Sequence, residues 1–209
     1  MREKTREDGK TAANYRVFGD SVVYGHGVDA ETESFYSRIA NIMKSGIYGD
    51  VKTVNAGMSG DDTSEALRRV TTDVTAHNPD IVIIAFGLND CMNRTMTTEN
   101  FRHNIENMIA AMPSKTQVIL ATSNSFLETG RSAWEDLNDS LDPFMMEIRA
   151  IARDRALTLI DVHDAWKDQL KQDQRHIESY YIDPTHPSAK GHGVIYEVYM
   201  NALRRILMK

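Results

Sequence analysis

The sequence predicts an α/β fold in which a central, mostly parallel five-stranded sheet is covered by helices on both faces. Three observations carry that prediction. Strand-like and helix-like segments alternate along the chain, and repeated strand–helix–strand crossovers are right-handed and give parallel neighbours. The run Ile81-Val82-Ile83-Ile84-Ala85-Phe86 is apolar throughout, as a strand buried on both faces must be. Clusters of glycine, aspartate, asparagine and serine follow the strand-like runs, where loops at the carboxyl ends of parallel strands carry reactive groups.

The elements follow in order. Residues 1–13 are expected to form a solvated tail and 14–209 a single domain, a length that supports one sizeable core. Strands are expected at 15–19, 51–56, 80–86, 117–122 and 157–161. Between them, Phe35, Ile39 and Met43 recur at four-residue spacing, and Leu67, Val70 and Val74 make a second stripe. Phe101, Ile105, Met108 and Met112 make a third, with Thr97 or Thr98 as its cap. Leu137, Leu141, Phe144, Ile148 and Ile151 keep their period through Pro143, which predicts a kinked helix or two helices meeting at Asp142-Pro143. Ile195, Val198, Ala202 and Ile206 place a last helix at the carboxyl end.

Composition narrows the function. Apolar residues make up 41% of the chain and the formal net charge is −6. A general binder of nucleic acid or anionic membrane needs a basic surface, so no nucleic-acid partner is expected. The single cysteine, Cys91, excludes an intramolecular disulfide. No stretch approaches the roughly 20 apolar residues that span a bilayer. Residues 1–10 are charged and lack an apolar stretch, so no secretory leader is expected and the cytoplasm is favoured.

Four clusters carry chemistry. Phe18-Gly19-Asp20-Ser21 closes the first strand, with the glycine expected to allow a sharp turn. A helical turn after it would aim the Ser21 N–H at an anion. The string from Asn55 to Asp62, Asn-Ala-Gly-Met-Ser-Gly-Asp-Asp, follows the second strand. There Gly57 lets a substrate oxygen approach its N–H, while Asp61 or Asp62 caps the next helix. Gly87-Leu88-Asn89-Asp90 follows the buried third strand and offers a side-chain amide at the strand tip. Asp183-Pro184-Thr185-His186-Pro187 sets a carboxylate three residues before an imidazole, close enough in a turn to accept from Nδ1–H. Each cluster alone is ordinary turn chemistry. The conjunction, in order and at strand ends, is specific.

With these four motifs in order, the chain resembles the SGNH/GDSL hydrolases over nearly its whole length, from about Tyr15 to the last helix. The resemblance implies a flavodoxin-like three-layer α/β/α sandwich and a serine hydrolase acting on small-molecule carboxylic esters or acyl thioesters. A carbohydrate O-acetylesterase of the same family is the alternative, and a non-catalytic α/β binding module the remoter one. The resemblance also implies Ser21 as nucleophile, His186 as base and Asp183 as the group orienting it. The oxyanion hole would comprise the Ser21 N–H, the Gly57 N–H and the Asn89 amide, with no cofactor and no metal. Asp-Pro-Thr-His departs from the glycine that many members carry after the aspartate. His26, five residues past Ser21, is given no catalytic role. Loops 123–132 and 171–181 are expected to shape the acyl pocket, with Phe126, Tyr180 or Trp134 as apolar walls or as core. Three rivals compete: a metal site of Asp183, His186 and His192, a Cys91 nucleophile, and a phospho-receiver built on Asp20 and Asp90.

Overall fold

A computed structural model describes residues 13–45, 47, 50–128 and 136–207. Five strands, β1 (Ala13–Gly19), β2 (Val51–Gly57), β3 (Ile81–Ala85), β4 (Gln117–Ala121) and β5 (Thr158–Ile160), form one sheet in the order β2-β1-β3-β4-β5. Every neighbouring pair is parallel. All of β3 is buried, as its apolar run predicts. The order reverses between β1 and β3, which opens a crevice at their carboxyl ends. Gly19 lies in register with Gly57 on one side and Ala85 on the other, so three strands end level there.

The helices are α1 (Ser21–Tyr24), α2 (Phe35–Lys44), α3 (Thr63–Asp73), α4 (Leu88–Met92), α5 (Thr98–Ala111), α6 (Leu137–Asp154), α7 (Val162–Gln172) and α8 (Ala189–Leu207). Packing of α3 on α5 and α5 on α6 makes one layer; α2 on α8 and α8 on α7 makes the other. This is the expected three-layer sandwich. Thr97 caps α5 by accepting from the Asn100 N–H.

Three local expectations change. Pro143 lies inside a single continuous helix, so the two-helix alternative at Asp142-Pro143 is not what forms. Its buried neighbours Leu141, Phe144, Met145 and Ile148 hold the helix across the missing N–H. Helix α7 was not expected, although Val162, Trp166 and Leu170 stand four residues apart. Gly19 serves close approach more than a turn. A Cβ there would lie 2.4 Å from Val23 Cγ2 and 2.6 Å from the Ala85 carbonyl oxygen, so only glycine lets α1 settle onto the strand ends. Residues 1–12 of the expected tail lie outside the described residues.

Candidate active site

The site forms where β1, β2 and β3 end. Asp20 caps α1 by accepting the Val22 N–H at 2.9 Å, which places Ser21 at the first helical position. The N–H groups of a first turn have no acceptor within the helix. The Ser21 N–H therefore has no acceptor within α1. Ser21 Oγ lies 2.9 Å from His186 Nε2, across 165 residues of chain. His186 Nδ1 lies 2.7 Å from Asp183 Oδ2. A carboxylate only accepts, so Nδ1 carries the proton and Nε2 is left to receive one from the serine.

Asp183 is itself held. Its Oδ1 accepts the N–H groups of Thr185 and His186, both at 2.8 Å. Burial raises its pKa, but the His186 ring and these two N–H groups outweigh burial and bring the carboxyl below its ordinary range. Asp183 therefore stays ionised near neutral pH. Across the site, the exposed His26 packs its ring 4.5 Å from the His186 ring, and its N–H donates to the Ser21 carbonyl.

The expected oxyanion donors divide. Asn89 stands in the first turn of α4, half-buried, not at a bare strand tip. One of its amide hydrogens goes to the Asp61 carbonyl at 2.9 Å, and the second remains for a ligand. The Gly57 N–H is different. It donates to Asn55 Oδ1 at 2.9 Å, and a Cβ on Gly57 would meet the Val23–Tyr24 backbone. That glycine lets β2 close on α1, and its donor is already engaged. Farther along the loop, Gly60 holds φ at +88°, and nothing lies within 4 Å of the place a Cβ would take.

Asp62 caps α3 in a reciprocal box with Glu65. Asp61 instead pairs with Arg69, a residue singled out by none of the four motifs. Asp20 is fully buried, and burial raises its carboxyl to about 6. Asp90 accepts from the Thr63 N–H at 2.9 Å and the Thr63 hydroxyl at 2.6 Å, and burial raises it to about 7. Asp20 caps α1 and Asp90 holds the first residue of α3, so both are spent within the fold, unlike the open acidic site of a receiver. Burial, and then the Asp90 charge, push the Cys91 thiol up to about 12, the reverse of an activated nucleophile. His192 is buried, accepts the Phe35 N–H at Nδ1 and stacks on the Phe35 ring. Among the described residues, no group of three or more His, Cys, Asp or Glu side chains is placed to hold a metal ion.

Of the expected pocket walls, Phe126 and Tyr180 are buried, and Trp134 lies outside the described residues. Phe126, Leu127, Leu170 and Ile177 line a groove of about 320 Å³ edged by Lys167 and Lys171. The Leu127 N–H donates to the Pro184 carbonyl at 2.8 Å, which ties this groove's loop to the Asp183–His186 turn.

A family model described as GDSL-like lipase/acylhydrolase matches residues 17–194. The chain is 26% identical over 216 residues to the uncharacterized lipoprotein YqeF of Bacillus subtilis, covering 91% of this chain and 89% of that one. Among solved structures it is similar to LAE5, an alpha/beta hydrolase enzyme from the metagenome of Lake Arreo, Spain. That similarity has a TM-score of 0.76 at 22% identity, covering 92% and 96% of the two chains. It is similar to Axe2, an acetylxylan esterase from Geobacillus stearothermophilus, with a TM-score of 0.78 at 17% identity over 91% and 94%. It is also similar to the lipase/acylhydrolase from Enterococcus faecalis, with a TM-score of 0.75 at 24% identity over 93% and 96%. At these identities the structural likeness is one of fold. Among the described residues, no helix is long and apolar enough to cross a membrane.

Proposed function

The chain belongs to the GDSL-like lipase/acylhydrolase family, and from that premise we propose that it hydrolyses carboxylic esters or acyl thioesters through an acyl-enzyme on Ser21. The observation that carries this reading is the continuous relay from Ser21 Oγ to His186 Nε2, 2.9 Å, and from His186 Nδ1 to Asp183, 2.7 Å. A serine hydroxyl needs such a base to become nucleophilic. As Oγ attacks the carbonyl carbon, Nε2 takes its proton, and ionised Asp183 stabilises the resulting imidazolium. The bond from the carbonyl carbon to the leaving oxygen or sulfur then breaks, and Nε2 returns the proton to the leaving group. Water attacks the acyl-enzyme by the same route and frees Ser21. No step needs a metal or an organic cofactor.

The negative charge on the attacked carbonyl oxygen is assigned to the Ser21 N–H and the second amide hydrogen of Asn89. Because the Gly57 N–H is engaged by Asn55, the loop's donor is placed at Gly60, where the backbone is open. Residues 14–209 are assigned to this one hydrolase domain. The cytoplasm remains the proposed compartment; the lipoprotein name of the Bacillus relative points instead to the cell envelope, and fractionation of the native host decides between them.

The test is a substrate panel: nitrophenyl esters from acetyl to palmitoyl, acetylated sugars and acyl thioesters, each with Ser21→Ala as control. Turnover of an ester or thioester that vanishes in a folded Ser21→Ala supports the reading. Turnover confined to acetylated sugars favours the O-acetylesterase alternative. Activity that survives Ser21→Ala rejects Ser21.

A further inference from the structure

Arg69 belongs to none of the four motifs, yet its side chain is only 13% exposed and lies against the loop that follows β2. Its Nε donates to Asp61 Oδ2. Nη1 donates to the Ala56 carbonyl at 2.9 Å and to Asp73 Oδ2 at 3.0 Å. Nη2 donates to the Gly19 carbonyl at 3.1 Å, and the guanidinium sits 4.5 Å over the Phe18 ring. One planar fork thus grips the end of β1, two residues before Ser21, the end of β2, and the loop between β2 and α3. The loop's Asp61 carbonyl in turn accepts the Asn89 amide at 2.9 Å.

This contact set exceeds what packing of α3 requires. The buried face of that helix is supplied by Thr63, Ala66 and Val70. Burying a guanidinium is costly, and the cost is offset only where its donors are met in good geometry. Here the donors meet two backbone carbonyls and two carboxylates, and three of the four, those of Gly19, Ala56 and Asp61, stand at the strand ends and loop that border the catalytic crevice. A lysine in this place is a single point charge and cannot span those acceptors together.

We propose that Arg69 is a positioning residue of the oxyanion site, acting through Asp61 to hold the Asn89 amide in place beside Ser21. The proposal rests on the reading of Ser21 and Asn89 given above. Arg69 touches no substrate and moves no proton. Its fork fixes the distance between the nucleophile's strand and the loop, and Asp61 transmits that distance to the amide. An amide displaced by even a fraction of an ångström loses much of its effect on a developing charge.

The experiment is a double-mutant cycle with nitrophenyl acetate, measuring kcat, KM and thermal midpoint for Arg69→Lys, Asn89→Ala and the pair. Asn89→Ala alone is expected to lower kcat roughly 10²–10³-fold. Arg69→Lys alone is expected to lower kcat roughly tenfold or more with KM within about twofold, and to cost no more than about twofold further once Asn89 is gone. The same loss from Arg69→Lys in both backgrounds overturns the positioning role and leaves the oxyanion reading intact. An Asn89→Ala enzyme with full kcat overturns the oxyanion reading itself. If Arg69→Lys does not fold, Asp61→Asn, which keeps the carbonyl and the side-chain volume, takes its place in the same cycle. Full kcat in a folded Asp61→Asn overturns the proposal.

Discussion

Asn89 carries two amide hydrogens, and only one is taken up by the Asp61 carbonyl, 2.9 Å away. The other is proposed to meet a charge that exists only once the substrate carbonyl has been attacked. Its removal should therefore act on the chemical step and not on binding. Asn89→Ala is expected to lower kcat by roughly 10²–10³-fold with KM nearly unchanged; steady-state kinetics that put the loss in KM would contradict the assignment. Cys91 stands two residues away, with burial and Asp90 pushing its thiol up to about 12. Cys91→Ala is expected to keep kcat within about twofold, since a thiol so rarely ionised at neutral pH is no nucleophile. At this scale Ser21, Asp183 and His186 could be proposed from the sequence only because their motifs occur together and in order, since each motif alone is ordinary turn chemistry. Arg69 was not legible. Its partners lie eight residues back at Asp61 and 50 residues back at Gly19, and no local pattern links them. The engagement of the Gly57 N–H was hidden for a related reason: its acceptor, Asn55 Oδ1, is a side chain whose orientation a sequence does not state.

The proposed nucleophile sits on an element of four residues, α1, whose position depends on what lies beneath it. A Cβ at Gly19 would stand 2.4 Å from Val23 on that helix and 2.6 Å from a backbone carbonyl of β3. One of the two must move, and the helix moves more easily than a central strand. Gly19→Ala is expected to lower kcat by at least about tenfold while lowering stability by roughly 1–3 kcal/mol, as measured by kinetics and urea denaturation. A variant that loses stability but keeps kcat would show that α1 is not set by this contact. The strands were legible because β3 is a fully buried apolar run and β4 becomes one after its exposed first residue, Gln117. Helix α6 was legible in its stripe but not in its continuity. Packing of Phe144, Met145 and Ile148 overrides the local penalty of Pro143, and tertiary contacts of that kind are not written into a short window. Helix α7 did carry a four-residue spacing, in Val162, Trp166 and Leu170, amid eight mostly polar neighbours that weakened the stripe.

For the whole molecule, buried carboxyls should shape stability against pH. Burial raises Asp90 from 3.8 to about 7. The fold thus favours its neutral form, and that stabilisation, complete below the ordinary carboxyl pKa, is lost as pH rises through about 7. Asp90→Asn keeps an acceptor for Thr63 and removes the titration. Its stability relative to the unchanged protein is expected to improve by about 2–3 kcal/mol between pH 5 and pH 8. A difference that stays flat across that range in parallel denaturation curves would refute the neutral buried carboxyl. The five-stranded sheet and its layers were legible from the alternation of patterns along the chain. The joining of Ser21 to His186 across 165 residues was legible only through the family resemblance, because nothing local measures so long a distance. That joining is most directly tested by inactivating the enzyme with a fluorophosphonate and mapping the adduct by peptide mass spectrometry. The expected result is a single adduct on Ser21, formed in step with the loss of ester hydrolysis and greatly slowed in His186→Ala. An adduct on another residue that tracks the loss of activity, with Ser21 unmodified, would contradict it.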